Sequence, residues 1–138
     1  MIFVDTGFFI ALLSPGDNLH ARAQAWAAAI DEPLLTTEYV IVETVNWFSA
    51  PIDRPKAHAL VAHLRSEPGY TTTPASPDLF DSGLVLHARR PDKAWSLTDC
   101  ISFVTMEEHK ITRALAYDHH FEQAGFEALL RREPNFSP

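Results

Sequence analysis

Short apolar runs of strand length alternate with helix-length segments along this chain, and that alternation leaves few folds open to it. Residues 2–5 begin Ile2-Phe3-Val4, apolar on both faces, as a strand in a covered parallel sheet requires. Thr6-Gly7 leads into a short apolar segment, 8–13, and Ser14-Pro15-Gly16-Asp17 marks a turn. Asp17 or Asn18 is placed to cap a helix running to residue 29, with Leu19, Ala23, Trp26 and Ile30 at helical spacing. A second strand over 34–36 precedes Thr37, the expected cap of a helix ending near residue 49. Pro55 suits the first turn of a helix to about 65, the β-branched stretch 70–73 reads as a strand, and Ser76-Pro77-Asp78 opens a helix to about 89. A helix over 96–108, a strand over 111–117, a helical turn over 119–123 and a strand over 126–130 follow. The stretch 131–138, polar with two prolines, reads as a fraying tail. The pattern predicts an α/β fold, a mostly parallel sheet of about five strands with helices on both faces. With 138 residues and neither repeat nor linker, residues 1–138 read as a single domain.

Within that frame four acids interrupt or end apolar runs. Asp5 follows Ile2-Phe3-Val4; Glu43 breaks Tyr39-Val40-Ile41-Val42; Asp99 opens Cys100-Ile101-Ser102-Phe103-Val104; Asp118 follows Ala114-Leu115-Ala116-Tyr117. In open α/β sheets, ligands sit outside the carboxyl ends of strands, where Asp5 and Asp118 are placed. Asp5 and Asp118 also suit helix or turn caps, and Ser96-Leu97-Thr98-Asp99 reads as a capping box, with Thr98 an alternative cap. Glu43 shares its helical face with Tyr39 and Trp47 at i−4 and i+4, an apolar setting foreign to a solvated glutamate. Four carboxylates gathered beside apolar surface do not all stay ionised without a cation. All-oxygen ligands point to Mg²⁺ or Mn²⁺.

The remaining motifs exclude more than they assert. No phosphate-cradling glycine motif and no Ser–His–acid order is present. His119-His120 lacks companions at zinc spacing, and adjacent side chains on a turn are expected to diverge. The one cysteine, Cys100, fits a reducing cytoplasm, and no apolar stretch approaches bilayer length, so no membrane role is expected. A net charge of −7 argues against coating duplex DNA. Arg89, Arg90 and Lys93, with Trp95 nearby, form the one basic cluster suited to an RNA contact, or simply a solvated loop.

Four blocks carry a family resemblance over nearly the whole chain: Val4-Asp5-Thr6-Gly7; Thr36-Thr37-Glu38-Tyr39-Val40 leading to Glu43-Thr44; Ser96-Leu97-Thr98-Asp99-Cys100-Ile101-Ser102-Phe103; and Tyr117-Asp118-His119-His120-Phe121-Glu122-Gln123-Ala124-Gly125-Phe126. In this order they make the chain resemble PIN-domain ribonucleases of the small VapC-like toxin type. Gly7 departs from the pattern, where a serine or another small polar residue is expected. The resemblance implies a PIN-like three-layer sandwich. It also implies metal and catalytic roles for Asp5, Glu43, Asp99 and Asp118, and supporting hydroxyls at Thr6 and Thr98.

It further implies Mg²⁺- or Mn²⁺-dependent cleavage of single-stranded or loop RNA, with a small antitoxin protein as inhibitor. A homodimer is expected from the same resemblance together with Trp26, Trp47 and Phe48, aromatics that a small sheet would not fully cover. The rival reading from another class is a non-catalytic PIN-like interaction module that binds RNA or a protein and keeps the acids as a metal-stabilised scaffold.

Overall fold

A computed structural model describes residues 1–135. Among them, five strands form one parallel sheet in the order β3-β2-β1-β4-β5: β1 Ile2–Val4, β2 Leu34–Thr37, β3 Tyr70–Thr73, β4 Arg113–Leu115 and β5 Glu127–Ala128. Phe3 of β1 lies in register with Leu35 on one side and Ala114 on the other. β1 is wholly buried, as its unbroken apolar triplet demands.

Among the described residues seven α-helices connect and cover the strands: α1 Thr6–Leu13, α2 His20–Ala29, α3 Glu38–Trp47, α4 Arg54–Ser66, α5 Pro77–Arg89, α6 Leu97–Glu108 and α7 His119–Gln123. Thr37 and Ser76 cap α3 and α5 as expected, accepting from the backbone N–H of Val40 and Leu79 at 3.1 Å each. The apolar segment after Thr6-Gly7 is the helix α1. Leu19, not Asp17 or Asn18, holds the N-cap position of α2, while Asp17 Oδ1 accepts from Leu19 N (2.8 Å) in the turn before it.

The buried core runs through Phe3, Phe8, Phe9, Phe103, Phe121 and Leu130. Phe103 sits at its centre, edge-on to both Trp95 and Phe121 with ring centroids 5.0 Å away in each case. α5 and α6 approach so closely at Gly83 that a Cβ there would lie 2.4 Å from Ile101 Cγ1.

Three expectations about the chain's end and surface change. The last apolar run is a strand for two residues only; Leu129–Arg131 is a 3₁₀ turn that buries Leu129 and Leu130, with Leu130 N bonded to Ala116 O (3.1 Å). The start of the expected fraying tail is tied down. Trp26 Nε1 donates to Arg132 O (2.8 Å), and Arg22 reaches Leu130 O and Glu133, both at 3.0 Å. Residues 136–138 of that tail lie outside the described residues. This anchoring also covers Trp26; with Phe48 buried as well, only Trp47 of the three aromatics expected at a dimer surface is exposed.

Candidate metal-dependent active site

β1 lies in the middle of the sheet, so the residue after it opens onto a crevice bounded by whatever follows its neighbours. Asp5 occupies that position. Glu43, on α3 after β2, and Asp118, between β4 and α7, come from the strands on either side. Asp99 arrives on the first turn of α6. All four carboxyl residues line one cleft of about 840 Å³ together with Thr6, Gly7, Trp47, Ser96, Tyr117, His120 and Arg131.

Asp5 is the buried member. It stands at the N-cap position of α1 but makes no side-chain capping bond, so capping does not account for it. Burial first, then the charges of Asp99 and Glu43, push its carboxyl up to about 7; the nearby N–H groups of Thr6 and Gly7 only partly oppose this. None of the influences on Asp5 is a cationic side chain. Beside it the Thr6 hydroxyl is buried without a hydrogen-bond partner among the described residues. A crowded set of carboxylates and an orphaned hydroxyl suit a hard divalent cation, and these residues fit Mg²⁺ or Mn²⁺. Gly7 leaves ordinary room, since a Cβ there would lie 3.8 Å from Asp5 Oδ2.

Asp99 combines two jobs. Ser96 Oγ accepts from Asp99 N and Asp99 Oδ2 accepts from Ser96 N, both at 3.0 Å, which completes the capping box. The same Oδ2 lies 3.0 Å from His120 Nδ1. Thr98 is neither the cap nor part of the cleft lining. Asp118 caps α7 by accepting from His120 N (3.0 Å) and remains half exposed.

Glu43 and its flanking Trp47 are both exposed, at the edge of the face that α3 buries through Val40 and Thr44. Of its two aromatic neighbours, Trp47 lines the cleft, whereas Tyr39 is half-buried and donates to Ser76 O (3.3 Å).

Two cleft residues escaped the sequence argument. His120 was expected to diverge from His119, yet the two rings lie 4.7 Å apart and His120 turns inward between Asp99 and Asp118. Asp118, His119 and His120 each present a ligand atom within 4.8 Å of the others. The available signal was buried Phe121 right after His120, which sets the rotation of α7. Arg131 enters from the far end of the chain, donates from Nη1 to Tyr117 O (2.7 Å), and has no local sequence signal. Conversely, the basic cluster stands apart from the acids. Arg90 pairs with Asp92 and lies over the Trp95 ring, and Arg89 and Arg90 line a different, largely apolar cavity.

The PIN domain family model matches residues 2–127. The chain belongs to the PIN-domain family. This PIN domain is 30% identical over 126 residues to the 23S rRNA-specific endonuclease VapC20 of Mycobacterium tuberculosis, a match covering 91% of this chain and 95% of that protein. The crystal structure of VapC20, a sarcin–ricin loop cleaving toxin, superposes with a TM-score of 0.83 at 28% identity, over 91% of this chain and 96% of that one. FitAcB from Neisseria gonorrhoeae shares the fold, with a TM-score of 0.67 at 20% identity over 93% and 96% of the two chains. Both the sandwich architecture and the family expected from the four sequence blocks are thereby borne out.

Proposed function

We propose that this PIN domain is a Mg²⁺- or Mn²⁺-dependent endoribonuclease that hydrolyses phosphodiester bonds in single-stranded or loop RNA, as the toxin of a toxin–antitoxin pair. The observation that carries this reading is the convergence of Asp5, Glu43, Asp99 and Asp118 on one cleft, where burial and the charges of Asp99 and Glu43 push the Asp5 carboxyl up. Such a site is costly to fold unless a divalent ion completes it. The similarity to an endonuclease over 91% of the chain supports the same reaction class.

Asp5, Asp99 and Glu43 would hold the ion, with Asp118 completing the set from the β4 side. When bound, the ion acidifies water and screens the charge that develops on phosphate oxygens. Asp99 is fixed for its part by Ser96 N and His120, which both engage Oδ2 and leave Oδ1 uncommitted. Thr6 supplies a hydroxyl for a carboxylate or water beside Asp5. Hydrolysis adds water across one P–O bond, and Glu43, or the oxygen of Asp118 that does not cap α7, would orient the attacking water.

The partners on this reading are the RNA substrate, a small antitoxin protein that silences the enzyme, and a second copy of the chain. α5 offers apolar surface for an isologous dimer, with Phe80, Leu84 and Val85 all exposed. The chain is read as acting in the cytoplasm; among the described residues no helix is long and apolar enough to cross a membrane.

A fluorescence-quenched single-stranded RNA incubated with the chain and Mn²⁺ tests the activity. Cleavage that stops on chelation and returns with Mn²⁺ is expected. RNA left intact across a Mn²⁺ and Mg²⁺ series would overturn the reading in favour of a binding module.

A further inference from the structure

An acid-lined cleft in a chain of net charge −7 must still hold a polyanion, and the basic cluster at Arg89, Arg90 and Lys93 does not face it. Three other residues do. Trp47 is 66% exposed and Tyr117 44% exposed, and both line the cleft that contains Asp5, Glu43, Asp99 and Asp118. Trp47 is one helical turn beyond Glu43 on α3, and Tyr117 immediately precedes Asp118. Their elements follow β2 and β4, which flank β1, so an aromatic accompanies the acid on each side of Asp5. The third residue is Arg131. Its guanidinium lies 4.7 Å from the centre of the Tyr117 ring, its Nη1 donates to Tyr117 O, and its Nε pairs with Glu122 at 3.1 Å. Arg131 thus stiffens Tyr117 and brings a cation to the cleft.

We propose that Trp47 and the Tyr117–Arg131 pair form a clamp that stacks unpaired nucleobases of the RNA on either side of the scissile phosphate. The proposal rests on the nuclease reading of the acids. Large flat side chains gain little by remaining in water, whereas every nucleobase has a face to offer them. Stacking is tolerant of sequence and needs no net positive surface, which suits an acidic protein better than a basic track does. It also requires bases freed from a duplex, so the clamp selects single-stranded or splayed-loop RNA over paired RNA. Holding the bases on both flanks fixes the phosphodiester between them above Asp5 and Asp99.

The test uses the full chain with Mn²⁺, a single-stranded RNA whose cut position has been mapped from its product ends, and two versions of that RNA, each with an abasic ribose on a different side of the cut. Intact protein is expected to show KM about 10-fold higher on each abasic RNA, with kcat changed far less. Trp47→Ala and Tyr117→Ala should raise KM on intact RNA by about 10-fold, and each should lose the penalty for the abasic site on its own side. Trp47→Phe and Tyr117→Phe should restore both. Tyr117→Leu, which keeps apolar bulk without a flat face, should behave as Tyr117→Ala and guards against an alanine variant that fails to fold.

Variants that cut with unaltered KM and an unaltered abasic penalty would overturn the clamp. If the intact chain cuts no RNA, the nuclease reading fails by itself. The clamp is then read from 2-aminopurine in the RNA: quenching lost in Tyr117→Ala supports it, and absence of quenching overturns it.

Discussion

His120 Nδ1 and Asp99 Oδ2 lie 3.0 Å apart, joining α7 to the first turn of α6 across the acid cleft. The ring also comes within 3.3 Å of Asp118 Oδ1, so one imidazole spans two of the four acids. Because Ser96 N donates to the same Asp99 oxygen, that carboxylate is held at one end and free at the other. Outer partners of this kind orient a metal-binding carboxylate and raise affinity.

His120→Ala should therefore weaken Mn²⁺ binding by about 10-fold or more, read by calorimetric titration or Mn²⁺ paramagnetic resonance without any RNA present. His120→Asn places an N–H donor close to the position of Nδ1 and should recover most of the affinity. His120→Gln reaches instead toward the position of Nε2 and should not. Mn²⁺ affinity equal to that of the native protein in all three variants would remove His120 from the site.

Asp5 gives the ion-free protein a defined pH dependence. Its carboxyl lies at about 7 in the folded chain against 3.8 ordinarily. Between those values the folded state holds a proton that the unfolded chain has released, so stability falls as pH rises. The loss is absent below about 4, grows through the interval and is complete above about 7, reaching roughly 4 kcal/mol. Melting temperatures measured in chelator should fall across this window, and Asp5→Asn should flatten the fall. Added Mn²⁺ should stabilise the native protein most at the high-pH end, where Asp5 is charged. A wild-type profile no steeper than that of Asp5→Asn would contradict the assignment.

Asp99→Asn separates charge from capping. The amide oxygen still accepts from Ser96 N, and one of the charges that raise Asp5 disappears. The ion-free variant should melt at or above the wild-type temperature while losing both Mn²⁺ stabilisation and cleavage. Asp99→Ala should instead lose on the order of 1 kcal/mol with the vanished cap contact. Similar destabilisation in both variants would mean that capping is the dominant role of Asp99.

Thr6→Val removes a buried hydroxyl that has no hydrogen-bond partner among the described residues while keeping the side chain's shape. Without metal it should cost nothing or stabilise the fold, since an unsatisfied buried hydroxyl carries a penalty of about 1–3 kcal/mol. Mn²⁺ affinity should fall. A clear loss of stability in the ion-free state would show that Thr6 is bonded within the protein.

Gly83→Ala addresses the scaffold beneath the site. The gain in helix propensity is about 1 kcal/mol, but the added methyl meets Ile101 at 2.4 Å, where α5 and α6 are pressed together. Overpacking of this kind costs about 1–3 kcal/mol. A net loss of about 1 kcal/mol in denaturant unfolding is expected, and Ile101→Val in the same chain should return part of it. A stabilised Gly83→Ala variant would show that α5 moves outward at no cost.

The sequence alone determined the α/β alternation, most helix boundaries and the four acids that the fold brings to one cleft. Each of these rests on local chemistry: the unbroken apolar triplet Ile2-Phe3-Val4, hydroxyl caps at Thr37, Ser76 and Ser96, and carboxylates where apolar runs stop. Local signals fail where a residue's surroundings come from distant parts of the chain. Leu129 and Leu130 look like strand residues, but they are buried in a 3₁₀ turn, with the single backbone bond from Leu130 N to Ala116 O in place of a strand ladder. Trp26 and Trp47 are alike in an amphipathic helix; the end of the chain covers one, and the other is left open at the cleft.

His120 and Arg131 became part of the site only because α7 and the 3₁₀ turn fold back onto the carboxyl ends of β1 and β4. Arg90, which looked available for RNA, is engaged by Asp92 and Trp95 instead. Periodicity, capping and burial cost are properties of short stretches and survive in one dimension. Which side chains meet across a parallel sheet depends on strand order and helix rotation, and those are set by the packing of the whole core.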